Sequence, residues 1–122
     1  MITEYKITQK DTAVYVFLDK GGHAADSEAD ASDIMSLCYE NNTSLLMIHS
    51  DRLSERFFDL KSGFAGVLLQ KLANYRVKTA LILADIPLSE RFREFLAEAG
   101  RGSSFHAFSD YEDAEAWLLT GR

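Results

Sequence analysis

Phe57-Phe58-Asp59-Leu60-Lys61-Ser62-Gly63-Phe64-Ala65-Gly66-Val67-Leu68-Leu69-Gln70-Lys71-Leu72-Ala73-Asn74-Tyr75-Arg76-Val77 is the stretch on which the reading of this chain turns. Its second half reads as an apolar helix, and ahead of that helix stand Asp59, Ser62 and Gly63 in a short polar run. Asp and Ser are helix-capping residue types, and a helix entrance leaves backbone N–H groups unpaired and partly positive. A phosphate, a free anion or a partner's loop can be held there. The bland use of the same residues is capping by Asp59 or Ser62, with Gly63 and Gly66 allowing close packing on a sheet. At the far end Asn74-Tyr75-Arg76 supplies a turn. Asn74 tolerates a left-handed backbone, Lys71 or Arg76 offsets the last carbonyls, and Tyr75 packs with its hydroxyl outward.

On either side of this helix lie apolar runs of strand length. Ser44 to His49 is bounded by polar residues, and Leu81 to Ala84, with Val77 and Ala80, forms another; both suit strands buried on two faces. Strands separated by helices imply a parallel sheet. Further upstream, an acidic stretch from Asp26 carries Ala31, Ile34, Leu37 and Cys38 at helical spacing, with Asp26 or Ser27 to cap it and Asn41-Asn42 to end it. The chain opens with alternating segments, Glu4 to Gln9 and Ala13 to Leu18, around the turn-prone Lys10-Asp11, which predicts a hairpin. Downstream, Ser89 to Ala99 places Phe92, Phe95, Leu96 and Ala99 on one stripe of a helix that stops before Gly100 and Gly102. Ser104 to Phe108 reads as the last strand, and Tyr111 to Leu119 as a last helix capped by Ser109 or Asp110. The expected architecture is one α/β domain over residues 1–122, a mixed, mainly parallel sheet with an N-terminal hairpin and about four helices.

Composition narrows the function classes. A chain of 122 residues, 47% hydrophobic and 26% charged, supports one core and has no room for a second domain. The net charge of −6, from 13 basic and 19 acidic side chains, repels a phosphate backbone, so no nucleic-acid partner is expected. No run approaches the roughly 18 to 20 apolar residues that cross a bilayer, and Met1 to Lys6 lacks the apolar core of a secretion signal. The expected location is the cytoplasm, away from membranes. Cys38, the lone cysteine, reads as a buried, inert thiol.

The residues of chemistry do not assemble into an enzyme. His23, His49 and His106 match no metal-ligand spacing. Asp19, Asp51, Asp85 and Asp110 fall near predicted strand ends, where grouped carboxylates bind magnesium, yet aspartate is also an ordinary residue for leaving a strand or capping a helix. Gly21-Gly22-His23 lacks the Lys and Ser/Thr of a phosphate loop, and neither a Gly-x-Ser-x-Gly elbow nor a paired Cys and His is present. The expectation is a non-enzyme without metal or cofactor. Phe57 and Phe58 cannot face the same way: either one ring is exposed as an interface, for instance in a homodimer, or the two pack under different layers of one core.

Phe57-Phe58-Asp59-Leu60, Gly63-Phe64-Ala65-Gly66, Leu69-Gln70-Lys71 and Asn74-Tyr75-Arg76-Val77-Lys78 together resemble the central block of an uncharacterised bacterial family, the domain-of-unknown-function family numbered 4180. The resemblance runs from the helix of Ile34 and Met35 through Gly100-Arg101-Gly102 to the segment Glu112 to Leu118. It implies a fold similar to the sulfate-transporter and anti-sigma-factor-antagonist (STAS) domain, and it brings no established activity. In sigma-factor antagonists the similar helix entrance reads Asp-Ser-Ser-Gly-Leu-Gly, so the resemblance makes Ser62 the match to the serine shown to a partner kinase. Here one more residue follows Asp59, Lys61 replaces a serine and an extra Ala65 separates the glycines. Phosphate on Ser62 would lie at a helix N-terminus beside Lys61. The resulting expectation is a non-catalytic regulatory or protein-interaction module with an unidentified protein partner, contacting it through Asp59, Ser62, Gly63 and the helix they begin. The alternative is a small-molecule or anion binder using the same entrance with Lys61 and Arg56.

Overall fold

A computed structural model describes residues 2–120. The strands β1 (Lys6–Lys10), β2 (Ala13–Leu18), β3 (Leu45–His49), β4 (Lys78–Ile82) and β5 (Phe105–Phe108) form one sheet in that order. β1 runs antiparallel to β2, and β2 to β5 are parallel. The hairpin turns through Asp11, whose φ of 57° shows why an aspartate stands there.

Period-two alternation decides which side each strand residue serves. Val16 and Leu18 of β2, Leu46 and Ile48 of β3 and Leu81 of β4 enter one apolar cluster; Tyr15 and Phe17, Leu45 and Met47, Ala80 and Ile82 enter another on the opposite face. Both faces are therefore covered, as the unbroken apolar strands require. The first cluster lies under α1 (Glu28–Glu40), α2 (Glu55–Phe58), α3 (Phe64–Asn74) and α4 (Glu90–Ala99), while α5 (Tyr111–Leu118) closes the second. Ser27, Ser89 and Asp110 accept hydrogen bonds from the N–H groups of Asp30, Phe92 and Asp113 and so start α1, α4 and α5.

Two details depart from the sequence reading. Among the described residues the α-helices number five, because Ser54 caps a single turn, α2, ahead of α3 by accepting from the Arg56 N–H. The left-handed residue after α3 is Arg76, with φ of 58°, whereas Asn74 still belongs to the helix. The left-handed position falls two residues later than the asparagine signal implied, and the Val77 N–H then bonds the Leu72 carbonyl.

Candidate functional site

The link from β3 to α3 begins as a 3-10 turn, Ser50–Arg52, which the chain draws inward. Ser50 Oγ accepts the Ala84 N–H at 2.9 Å and ties this link to the exit of β4. Arg52 is 1% exposed; its Nε donates to the His23 carbonyl at 2.8 Å and its Nη1 to the Asp19 carbonyl at 3.0 Å. Its own carbonyl accepts the Ala25 N–H, and the Ser54 N–H bonds the Ala25 carbonyl, so residues 25 and 53 meet as a short parallel bridge. Burial lowers the pKa of the Arg52 guanidinium, opposed by the charges of Glu4 and Asp19. Asp19 is pushed up by burial, but Lys6 Nζ at 2.9 Å and the Lys20 N–H outweigh this and hold its carboxyl below the ordinary range.

Between α2 and α3, from Asp59 to Gly63, the chain comes to the surface. Asp59 caps a second 3-10 turn, Leu60–Ser62, by accepting from the Lys61 N–H. Gly63 follows with φ of 76°, a backbone that strains any residue with a Cβ. Ser62 stands across the joint: its hydroxyl donates to the Arg56 carbonyl at 2.5 Å and accepts the Phe64 N–H at 3.1 Å. Gly63 itself contributes no side-chain cap to α3, so Ser62 supplies the capping oxygen from one residue further back. The N–H groups of Ala65 and Gly66 lie in the first turn, beyond the reach of an intrahelical carbonyl. Arg56 is held beside this entrance, its Nη1 on the Asp26 carbonyl at 2.7 Å and its guanidinium over the Phe64 ring.

Of the sequence candidates, Asp59, Lys61, Ser62 and Gly63 are brought together at the α3 entrance, with Asp59, Lys61 and Gly63 exposed. Two adjoining clefts share Phe58 and Asp59. One of ≈ 530 Å³ extends to Leu53, Ile86 and Pro87, and one of ≈ 480 Å³ extends to Leu60, Lys61 and Arg91. Phe57 does not serve as an interface in this fold: it is 1% exposed, within rings of Phe58, Phe64 and Phe92 at 5.1, 6.4 and 5.7 Å. The reason is its direction on the single turn α2, which points Phe57 to the sheet and leaves Phe58 half-buried at the cleft wall. Gly66 is exposed, and a Cβ there would meet nothing within 4 Å, so it does not serve close packing.

The other polar candidates are dispersed. His49 Nδ1 accepts the Asp51 N–H, His23 Nε2 lies 3.3 Å from Asp30 Oδ2, and His106 stacks with Phe108 and Trp117. Among the described residues, no group of three His, Cys, Asp or Glu side chains is placed to hold a metal ion. Burial raises the Cys38 thiol to about 11, consistent with an inert thiol.

Sequence reasoning missed Arg52, which lay unremarked between Asp51 and Leu53, and also a polar knot under α5. There Tyr15 and Tyr111 both hydrogen-bond Glu115 Oε2, at 2.6 and 2.8 Å, while Lys10 bonds Oε1 at 2.9 Å. The signal for the knot was a glutamate among Ala114 and Leu118, four residues after Tyr111. These contacts, the Tyr15 hydroxyl first, hold the Glu115 carboxyl below its ordinary range.

Fold and site define a small mixed α/β domain with a polar entrance to its third helix. A family model described as "Domain of unknown function (DUF4180)" matches residues 10–118, and the chain belongs to that family. No curated protein and no solved structure matches it. Among the described residues no helix is long and apolar enough to cross a membrane.

Proposed function

We propose that this domain is a non-catalytic regulatory module of the cytoplasm that binds a protein partner through the α3 entrance, with Ser62 as its switch. The observation that carries the reading is the double bond of the Ser62 hydroxyl, given to the Arg56 carbonyl and received from the Phe64 N–H. A phosphate on that oxygen removes the donated hydrogen and sets anionic oxygens against the Arg56 carbonyl. The same oxygens face the partly positive start of α3, with Lys61 next in sequence. Modification therefore loosens α2 from α3 while strengthening the cap of α3. The cleft wall formed by Phe58, Asp59 and Leu60 lies in the segment that moves.

The resemblance of this entrance to that of the sigma-factor antagonists in the STAS domain supports the same reading, since those proteins present a serine at the matching place. The test is affinity capture with wild-type and Ser62→Asp baits, with the phosphorylation state of Ser62 mapped in the same run. The reading predicts a partner whose capture changes at least severalfold between the two baits. An unchanged list with unmodified Ser62 overturns it. The competing use of the entrance, binding of a free anion, predicts saturable phosphate binding that Lys61→Ala abolishes.

A further inference from the structure

We propose that the cavity beside Arg52, remote from the α3 entrance in its chemistry, is a binding site for a small oxyanion, a carboxylate or phosphate group. The cavity measures ≈ 290 Å³ and is walled by Glu4, Lys6, Asp19, Lys20, Gly21 and Arg52, among others. Three observations point to an anion there.

The first is the guanidinium itself. Arg52 is 1% exposed and spends Nε and Nη1 on the carbonyls of His23 and Asp19, but Nη2 has no hydrogen-bond partner. A buried cationic N–H without an acceptor is costly and rare in native structures, and an anion in the adjoining cavity would satisfy it. The second is the space kept around it. A Cβ on Gly22 would fall 2.7 Å from Arg52 Cζ, 2.9 Å from Nη2 and 2.8 Å from Glu4 Cβ, so only glycine leaves room between the Glu4 segment and the fork. The third is the local charge. Lys6 and Asp19 pair at 2.9 Å, and Glu4, one oxygen on the His23 N–H, keeps its charge near Arg52, so that of the five charged side chains on the wall the three cations, Lys6, Lys20 and Arg52, outnumber the two carboxylates and an anion meets a net positive site.

The cavity also adjoins a cleft of ≈ 540 Å³ that shares Lys6, Asp19 and Lys20 and continues to Phe17, His49 and Tyr111. A molecule with its oxyanion at Arg52 has its remainder accommodated there, against one apolar and two ring-bearing polar side chains. Such a mixture is typical of small-ligand sites.

The test is a titration of ¹⁵N-labelled protein with inorganic phosphate and, separately, with succinate, each at constant ionic strength set by sodium chloride. The Arg52 Nε–H resonance and the amides of Lys20, Gly21 and Gly22 are followed. The proposal predicts a saturable shift of these signals with at least one probe, phosphate alone marking a phosphate site and succinate alone a carboxylate site. In Lys20→Ala, a change at an exposed position that preserves the fold, the same probe binds about fivefold more weakly. No saturable response at Arg52 with either probe, a response that chloride reproduces, or unchanged affinity in Lys20→Ala overturns the proposal.

Discussion

Between β3 and α3 the chain passes through two segments of opposite character. Ser50 to Ser54 is drawn into the molecule, with Ser50, Arg52 and Leu53 buried and bonded to the loop before α1 and to the exit of β4. Asp59 to Gly63 lies at the surface, ahead of the buried Phe64 and Ala65, and its bonds are to neighbours within a few residues. The first segment is held by contacts distant in sequence, so it positions the strand ends; the second, up to Gly63, is held by local caps and turns, so it can change with little effect on the core.

The largest break in this comparison comes from Arg52→Ala, which leaves the carbonyls of Asp19 and His23 without their donor. We predict a loss of about 3 kcal/mol in chemical denaturation. A loss below about 1 kcal/mol would show that the inward segment is not anchored by Arg52. Gly22→Ala crowds the same guanidinium and should cost about 1–3 kcal/mol in the same experiment.

The loop docked on Arg52 also sharpens the comparison through pH. Asp30 is pushed up by burial, yet the Asp26 N–H and His23 outweigh this and hold its carboxyl below the ordinary range. A depressed carboxyl stabilises the fold above its unfolded pKa, and that contribution disappears as pH falls through the folded value. Acidification below about pH 4 should therefore lower the melting temperature more in wild type than in Asp30→Asn.

On the surface segment the effects are smaller. Ser62→Ala removes a capping oxygen and should cost about 1 kcal/mol. Gly66→Ala has open space for its Cβ inside a helix and should raise stability by about 0.5–1 kcal/mol, read as an upward shift of the denaturation midpoint.

Much of the fold was legible because its signals are local. The apolar strands, the Ser27 and Asp110 caps and the hairpin turn at Asp11 each follow from residues within a few positions of one another. The α3 entrance was legible for the same reason. What escaped was long-range: Arg52 reaches back 29 and 33 residues to His23 and Asp19, and Glu115 gathers Tyr15 from 100 residues away. No periodicity within a window shows such partners. Phe57 and Phe58 show the limit at short range, since adjacency required them to diverge but did not say which ring the core would take.

Residue-resolved hydrogen exchange on the native protein, compared between wild type and Ser62→Asp, tests the central division most directly. In wild type the Ala25, Leu53 and Ser54 amides should exchange far more slowly than those of Lys61 to Phe64, and Ser62→Asp should alter exchange only from Arg56 to Gly66. Equal protection in the two segments, or a change that spreads to Leu53 and Ala25, would contradict the account.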